Sequence, residues 1–85
     1  MSKSLTIRYF ASIRETMGCS AEQVTSHANT IGELRTELVA RGNPSAQCLG
    51  TGRAVRMALN QLMVDDATVL PANAEVAFFP PVTGG

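Results

Sequence analysis

The sequence holds only two cysteines, Cys19 and Cys48, and one histidine, His27. Neither cysteine belongs to a CxxC pair or a Cys/His cluster, which excludes a four-thiolate iron–sulfur centre. Both thiols are expected free and reduced. His27 lies in a polar stretch and reads as an ordinary surface histidine. Without a His/Cys/Asp constellation, a self-sufficient enzyme is the least supported class. The chain is therefore expected not to be catalytic alone, with no metal and no permanently bound cofactor. Aromatics are scarce as well: three phenylalanines, one tyrosine and no tryptophan. That is too few for base-stacking platforms, and seven basic side chains balanced by seven acidic ones give no basic field for nucleic acid. No apolar run is long enough to span a bilayer. Met1-Ser2-Lys3-Ser4 lacks the apolar segment of a signal peptide. The expectation is a cytoplasmic protein that engages neither nucleic acid nor membrane.

What the sequence does contain is a core. Its 85 residues, 45% hydrophobic, suit one small globular domain. Leu5, Ile7 and Tyr9 alternate with Thr6, Arg8 and Phe10, the period of a strand with one buried face. The first set is the core candidate, which leaves Phe10 on the opposite face. Ser12-Ile13-Arg14-Glu15 fits a capping box opening a short helix, with Ile13 and Met17 on one side and Gly18 at its stop. Residues 21–26 read as a weaker strand whose only large apolar residue is Val24. Thr30-Ile31-Gly32-Glu33 is a second capping box, and it opens the main helix. Ile31, Leu34, Leu38 and Val39 form its apolar stripe. Glu37 and Arg41 are spaced for a helical ion pair, and Gly42 and Pro44 end the helix.

Residues 42–53 read as a loop. Gly50-Thr51-Gly52 lacks the Gly-Lys-Ser/Thr that a phosphate-binding loop requires. Val55, Met57 and Leu59 alternate with Ala54, Arg56 and Ala58 as a strand, Asn60-Gln61 supplies a turn, and Leu62-Met63-Val64 returns. Val69-Leu70-Pro71 reads as a short turn. The last strand, residues 75–79, sends Val76 and Phe78 to one face and Ala77 and Phe79 to the other. One amphipathic helix and several half-apolar strands bury each other best as a mixed sheet packed on one main helix, an α+β fold.

The most specific stretch is the end of the sequence, Phe78-Phe79-Pro80-Pro81-Val82-Thr83-Gly84-Gly85. The prolines cannot donate ladder hydrogen bonds and fix their own φ, so they stop the strand and hold the following residues extended. Gly84 and Gly85 have no side chain to hinder access to the terminal carboxylate, and they can adapt to the shape of several partners. No residue of the tail can act as base, nucleophile or metal ligand, so any catalytic groups must come from another protein. The expected division is a folded domain over residues 1–81 and a flexible tail over 82–85. Val82 alone buries too little to offset ordering four backbones at about 1–2 kcal/mol each.

This ending resembles the C-terminus of the small subunits of molybdopterin synthase, a family of ubiquitin-like sulfur carriers. Tyr9-Phe10-Ala11, Arg14-Glu15, Gly18 and Asn60 are also similar to that family, although the family often has Gly-Asp where this sequence has Asn73-Ala74. The resemblance implies a β-grasp fold with the first and last strands parallel and adjacent at the sheet centre. It implies that Gly85, preceded by Gly84, is the reacting residue. An E1-like adenylyltransferase would use ATP to adenylate its carboxylate, and a sulfur donor protein would convert the adenylate into a thiocarboxylate. The large synthase subunit would then receive the tail, in an expected heterotetramer, and pass the sulfur to a pyranopterin precursor to build the dithiolene. Partner contacts are expected from Phe10, Met63 and Phe79 as an exposed apolar patch, and from Pro80, Pro81, Val82 and Thr83 along the tail. Sulfur carriage for thiamin or transfer-RNA thiolation would use the same Gly-Gly ending. An interaction module without chemistry remains a separate class.

Overall fold

The computed structural model describes residues 2–50 and 54–81. Val82, Thr83, Gly84 and Gly85, and the tail expected there, lie outside the described residues. The elements are β1 (Lys3–Tyr9), α1 (Ala11–Met17), β2 (Ala21–Ser26), α2 (Ile31–Ala40), α3 (Ser45–Leu49), β3 (Arg56–Leu59), β4 (Leu62–Val64) and β5 (Glu75–Phe79). The strands form one five-stranded sheet in the order β2-β1-β5-β3-β4. β1 and β5 run parallel, with Ile7 opposite Val76 and Tyr9 opposite Phe78. The other neighbouring pairs are antiparallel. Alternation along β1 and β5 sends Leu5, Ile7, Tyr9, Val76 and Phe78 to one face, where they join Ile31, Leu34 and Leu38 of α2 in a single core. A mixed sheet with its last strand in the centre and one main helix on one face is the β-grasp arrangement.

Two turns carry the left-handed geometry that their residues favour. Asn60 and Gln61 have φ of 49° and 72°, the positive pair that a tight two-residue hairpin between β3 and β4 requires. The Asn60 side chain accepts from the Glu75 amide at 2.9 Å, and its own amide donates to the Glu75 carbonyl at 2.8 Å. The hairpin is thereby fastened to the start of β5. Asn73 has φ 59°, so the Asn-Ala variant of the turn before β5 is accommodated by an asparagine that tolerates this region.

Four local expectations are corrected. Ser12 does not cap α1. The Phe10 amide donates to the Phe78 carbonyl, extending the β1–β5 ladder through residue 10. The chain then turns at Ala11, φ 53°, and the helix starts before Ser12 can cap it. Residues 45–49, read as loop, form the short helix α3, which buries Leu49 completely. Its last carbonyls are satisfied by Arg35, whose guanidinium donates to the carbonyls of Leu49 and Gly50 at 2.6 and 3.2 Å. Residues 69–71, read only as a short turn, instead carry a bridge from Val69 to Thr30 and bury Leu70 completely in the core.

The fourth correction is the Glu37–Arg41 pair. Arg41 instead forms a bidentate pair with Glu22 of β2, both contacts at 3.1 Å, and Glu37 accepts from the Ser26 hydroxyl. Glu22 also accepts from the Tyr9 hydroxyl at 2.7 Å, which fixes its carboxylate for the fork of the guanidinium. The capping box at Thr30 is formed with one shift. Thr30 accepts from the Glu33 amide, while Glu33 reaches the amide of Asn29 rather than that of Thr30.

The hydrogen bonds from Arg41 hold the Glu22 carboxyl below the usual carboxylate range, against the opposing effect of its partial burial. A carboxylate depressed in the folded state contributes stability above its unfolded pKa, near 4.3, and that contribution disappears as pH falls through the lower folded value. Glu22→Gln is therefore expected to lower the denaturation midpoint at neutral pH. The gap from the parent protein should close below about pH 4, as read by urea unfolding at a series of pH values.

Candidate functional site

β5 is flanked by β1 and β3, so both of its ladders are satisfied until Phe79 pairs with Arg56. Pro80 and Pro81 follow and, lacking amide donors, end the ladder. Both prolines are half-buried. Pro80 lines a cleft of about 330 Å³ with Ser12, Ile13 and Thr16 of α1, Gln47 and Cys48 of α3, and Ala54. The chain thus leaves the sheet beside α1 and α3, from its most protected strand.

On the face away from α2, the strand register sets four residues in a row: Arg8, Ala77, Ala58 and Met63, one each from β1, β5, β3 and β4. The two alanines in the middle keep the floor low, and larger side chains stand around them. The result is a concavity of about 400 Å³ lined by Arg8, Phe10, Ala58, Gln61, Met63, Glu75, Ala77 and Phe79. Phe10 and Phe79 meet edge to face at 6.2 Å between ring centroids, a favoured aromatic geometry. The Arg8 guanidinium sits 5.8 Å from the Phe10 ring centroid, within cation–π range, and lies 4.0 Å from the Glu75 carboxylate. Phe10 is 41% and Met63 56% exposed. An apolar depression with a charged rim is the anatomy of a docking surface.

The structure therefore sets Phe10, Met63 and Phe79 around one concavity, while Pro80 and Pro81 follow Phe79 directly and Pro80 lines the separate cleft against α1 and α3. The sequence reading missed Arg8, Ala58, Gln61, Glu75 and Ala77. The alternation that put Phe10 and Phe79 outward also puts Arg8 and Ala77 outward, so that signal was available. The cross-strand register that aligns Ala58 with Ala77 was not. Cys19 and Cys48 are half-buried free thiols, and His27 is exposed. Among the described residues no helix is long and apolar enough to cross a membrane.

The ThiS family profile matches residues 7–85. The chain is 37% identical over 81 residues to the molybdopterin synthase sulfur carrier subunit of Escherichia coli, covering 95% of this chain and 99% of that protein. The same-named subunit of Haemophilus influenzae is 35% identical over the same extent. Among solved structures, the complex of subunits 1 and 2 of molybdopterin-converting factor from Helicobacter pylori contains a similar chain. Its TM-score is 0.65 at 29% identity, with 96% of this chain and 99% of that chain covered.

A buried residue of β5 and an exposed residue of β4, on opposite faces of the sheet, provide a stability test of the site. Phe78 is fully buried, and Phe78→Ala is expected to cost about 3–5 kcal/mol in equilibrium denaturation. Met63→Ala, on the exposed patch, should change stability by no more than about 0.5 kcal/mol.

Proposed function

The chain belongs to the ThiS family, and from that membership we infer that it is a sulfur carrier in molybdenum cofactor biosynthesis, acting as the small subunit of a molybdopterin synthase. The observation that carries this reading is the near-full-length similarity to two sulfur carrier subunits of that enzyme, with the family match running through Gly85. The apolar concavity beside the exit of β5 supports it, because a partner seated there would lie next to the root of the tail.

The reaction begins at the Gly85 carboxylate. A carboxylate is a poor electrophile until one oxygen becomes a leaving group, so an E1-like adenylyltransferase uses ATP to form the acyl-adenylate. A sulfur donor protein then displaces AMP and leaves a thiocarboxylate, which ionises more readily than a thiol and presents bound sulfur as a nucleophile without free sulfide. The large synthase subunit docks on Phe10, Met63 and Phe79 and receives Pro80, Pro81, Val82, Thr83, Gly84 and Gly85 in its active site. There the sulfur passes to the pyranopterin precursor and builds the dithiolene. The carrier supplies the reacting atom and its position, while the large subunit supplies charge stabilisation and proton transfer. Subunit pairing of this kind occurs in the Helicobacter pylori complex, and we propose a heterotetramer for this protein.

Deleting Gly85 is expected to leave the melting curve unchanged and abolish thiocarboxylate formation. The shorter tail withdraws the carboxylate by about 3.3–3.6 Å, where a misplacement of about 1 Å already costs on the order of a hundredfold in rate. Intact mass after incubation with the activating enzyme, ATP and sulfur donor reads the exchange of oxygen for sulfur. Full conversion of the deletion variant would contradict the assignment of Gly85. Phe79→Ala should weaken binding to the large subunit by about 1–2 kcal/mol in calorimetry with little change in melting temperature. Unaltered affinity with a collapse of stability would place Phe79 in the core.

A further inference from the structure

The sequence contains a single lysine, Lys3; its other six cations are arginines. Lys3 opens β1, where it pairs with Ser26 of β2. It is half-buried, and its ammonium donates to two backbone carbonyls, Ala28 at 2.8 Å and Leu70 at 2.6 Å. Those carbonyls belong to segments far apart in sequence, the turn before α2 and the segment before β5. Both residues are buried, and the Leu70 amide donates in turn to Asn29 at 2.9 Å. Lys3 is thus the clasp between two core-anchored segments, held by two short charge-assisted hydrogen bonds.

We propose that this chain is built to avoid permanent acylation of its own side chains, with Lys3, its one side-chain amine, kept from acting as an acceptor by its clasp. The proposal rests on the reading that Gly85 is activated as an acyl-adenylate. An adenylate is a general electrophile. A free amine would attack the Gly85 carbonyl carbon through its nitrogen lone pair. The new C–N bond would form as the C–O bond to AMP breaks, AMP would leave with the electron pair, and the extra proton on nitrogen would pass to solvent. The amide produced would be permanent and would remove the tail from sulfur transfer. A guanidinium stays protonated and offers no such lone pair, so the arginines can carry surface charge without this hazard. Thiols such as Cys19 and Cys48 can accept an acyl group, but a thioester hands it on to the next thiol. An ammonium has protons to donate and nothing to attack with. To become a nucleophile, Lys3 must lose a proton and leave both carbonyls.

The test places a free amine elsewhere. Thr36 is exposed on α2, away from the docking face, and Thr36→Lys should fold normally. In native protein, N-hydroxysuccinimidyl acetate is expected to acylate the lysine introduced at position 36 about tenfold or more faster than Lys3, the difference vanishing in denaturant. With the activating enzyme and ATP but no sulfur donor, Thr36→Lys should accumulate amide-linked oligomers mapping to position 36. The parent and Lys3→Arg should form no such adduct at residue 3. The α-amino group is common to all three proteins and serves as the shared background. Equal labelling of Lys3 and position 36 in native protein, or a Gly85–Lys3 amide in the parent, would overturn the proposal. So would adenylate formation by Thr36→Lys without any adduct at position 36. If no adenylate forms in any protein, the sulfur-carrier reading fails, and the reagent labelling still decides whether Lys3 is shielded.

Discussion

β5 can occupy the middle of the sheet only because both of its edges find partners along its length. β1 pairs with it in parallel from Thr6 to Tyr9, and β3 pairs with it antiparallel from Arg56 to Leu59. The core depends on this insertion, since Val76 and Phe78 meet Ile7, Tyr9 and Met57 beneath α2. So does the opposite face, since the same pairings line up Arg8, Ala77, Ala58 and Met63. The exit of the chain depends on it as well, because Pro80 and Pro81 leave from a strand held on both sides. Breaking the β1–β5 ladder would expose the core and remove the docking face together.

Much of this was legible in the sequence where local rules and the global fold agree. The period of two in β1 and β5, the stripe of α2, the stop at Gly18 and the Asn60-Gln61 turn all specify structure through neighbouring residues. The failures have a common cause. Glu37 and Arg41 satisfy the helical spacing rule, yet Arg41 turns to Glu22 because a carboxylate already oriented by Tyr9 offers a bidentate partner from another element. α3 is five residues long, too short for periodicity to show, and it exists because Leu49 must be buried and Arg35 can satisfy its carbonyls. Ser12 had the composition of a cap but lost the position to the extended ladder at Phe10. In each case a tertiary contact outweighed a local preference worth about 1 kcal/mol or less. The patch was legible in its aromatic members through alternation, whereas its alanine floor required the register.

The division of labour follows from the same architecture. The described surface offers an apolar depression beside the end of β5, and the proposed function puts the chemistry at an acyl group on Gly85 handled by other proteins. A carrier of this kind has to be reactive at one atom and inert everywhere else. The balance of charge through arginine, with its one lysine held on two carbonyls, meets the second requirement as the Gly-Gly ending meets the first.

The central claim is that this chain delivers sulfur from its terminus to a partner-bound precursor. A single-turnover reconstitution tests it most directly: purified thiocarboxylated chain is mixed with a molybdopterin synthase large subunit and the pyranopterin precursor. The masses of carrier and product are then followed together. The account predicts that the carrier returns to the carboxylate mass as dithiolene-bearing product appears, with sulfur lost from one matching sulfur gained by the other. Thiocarboxylated carrier that binds the large subunit and keeps its sulfur while the precursor is unchanged would contradict it.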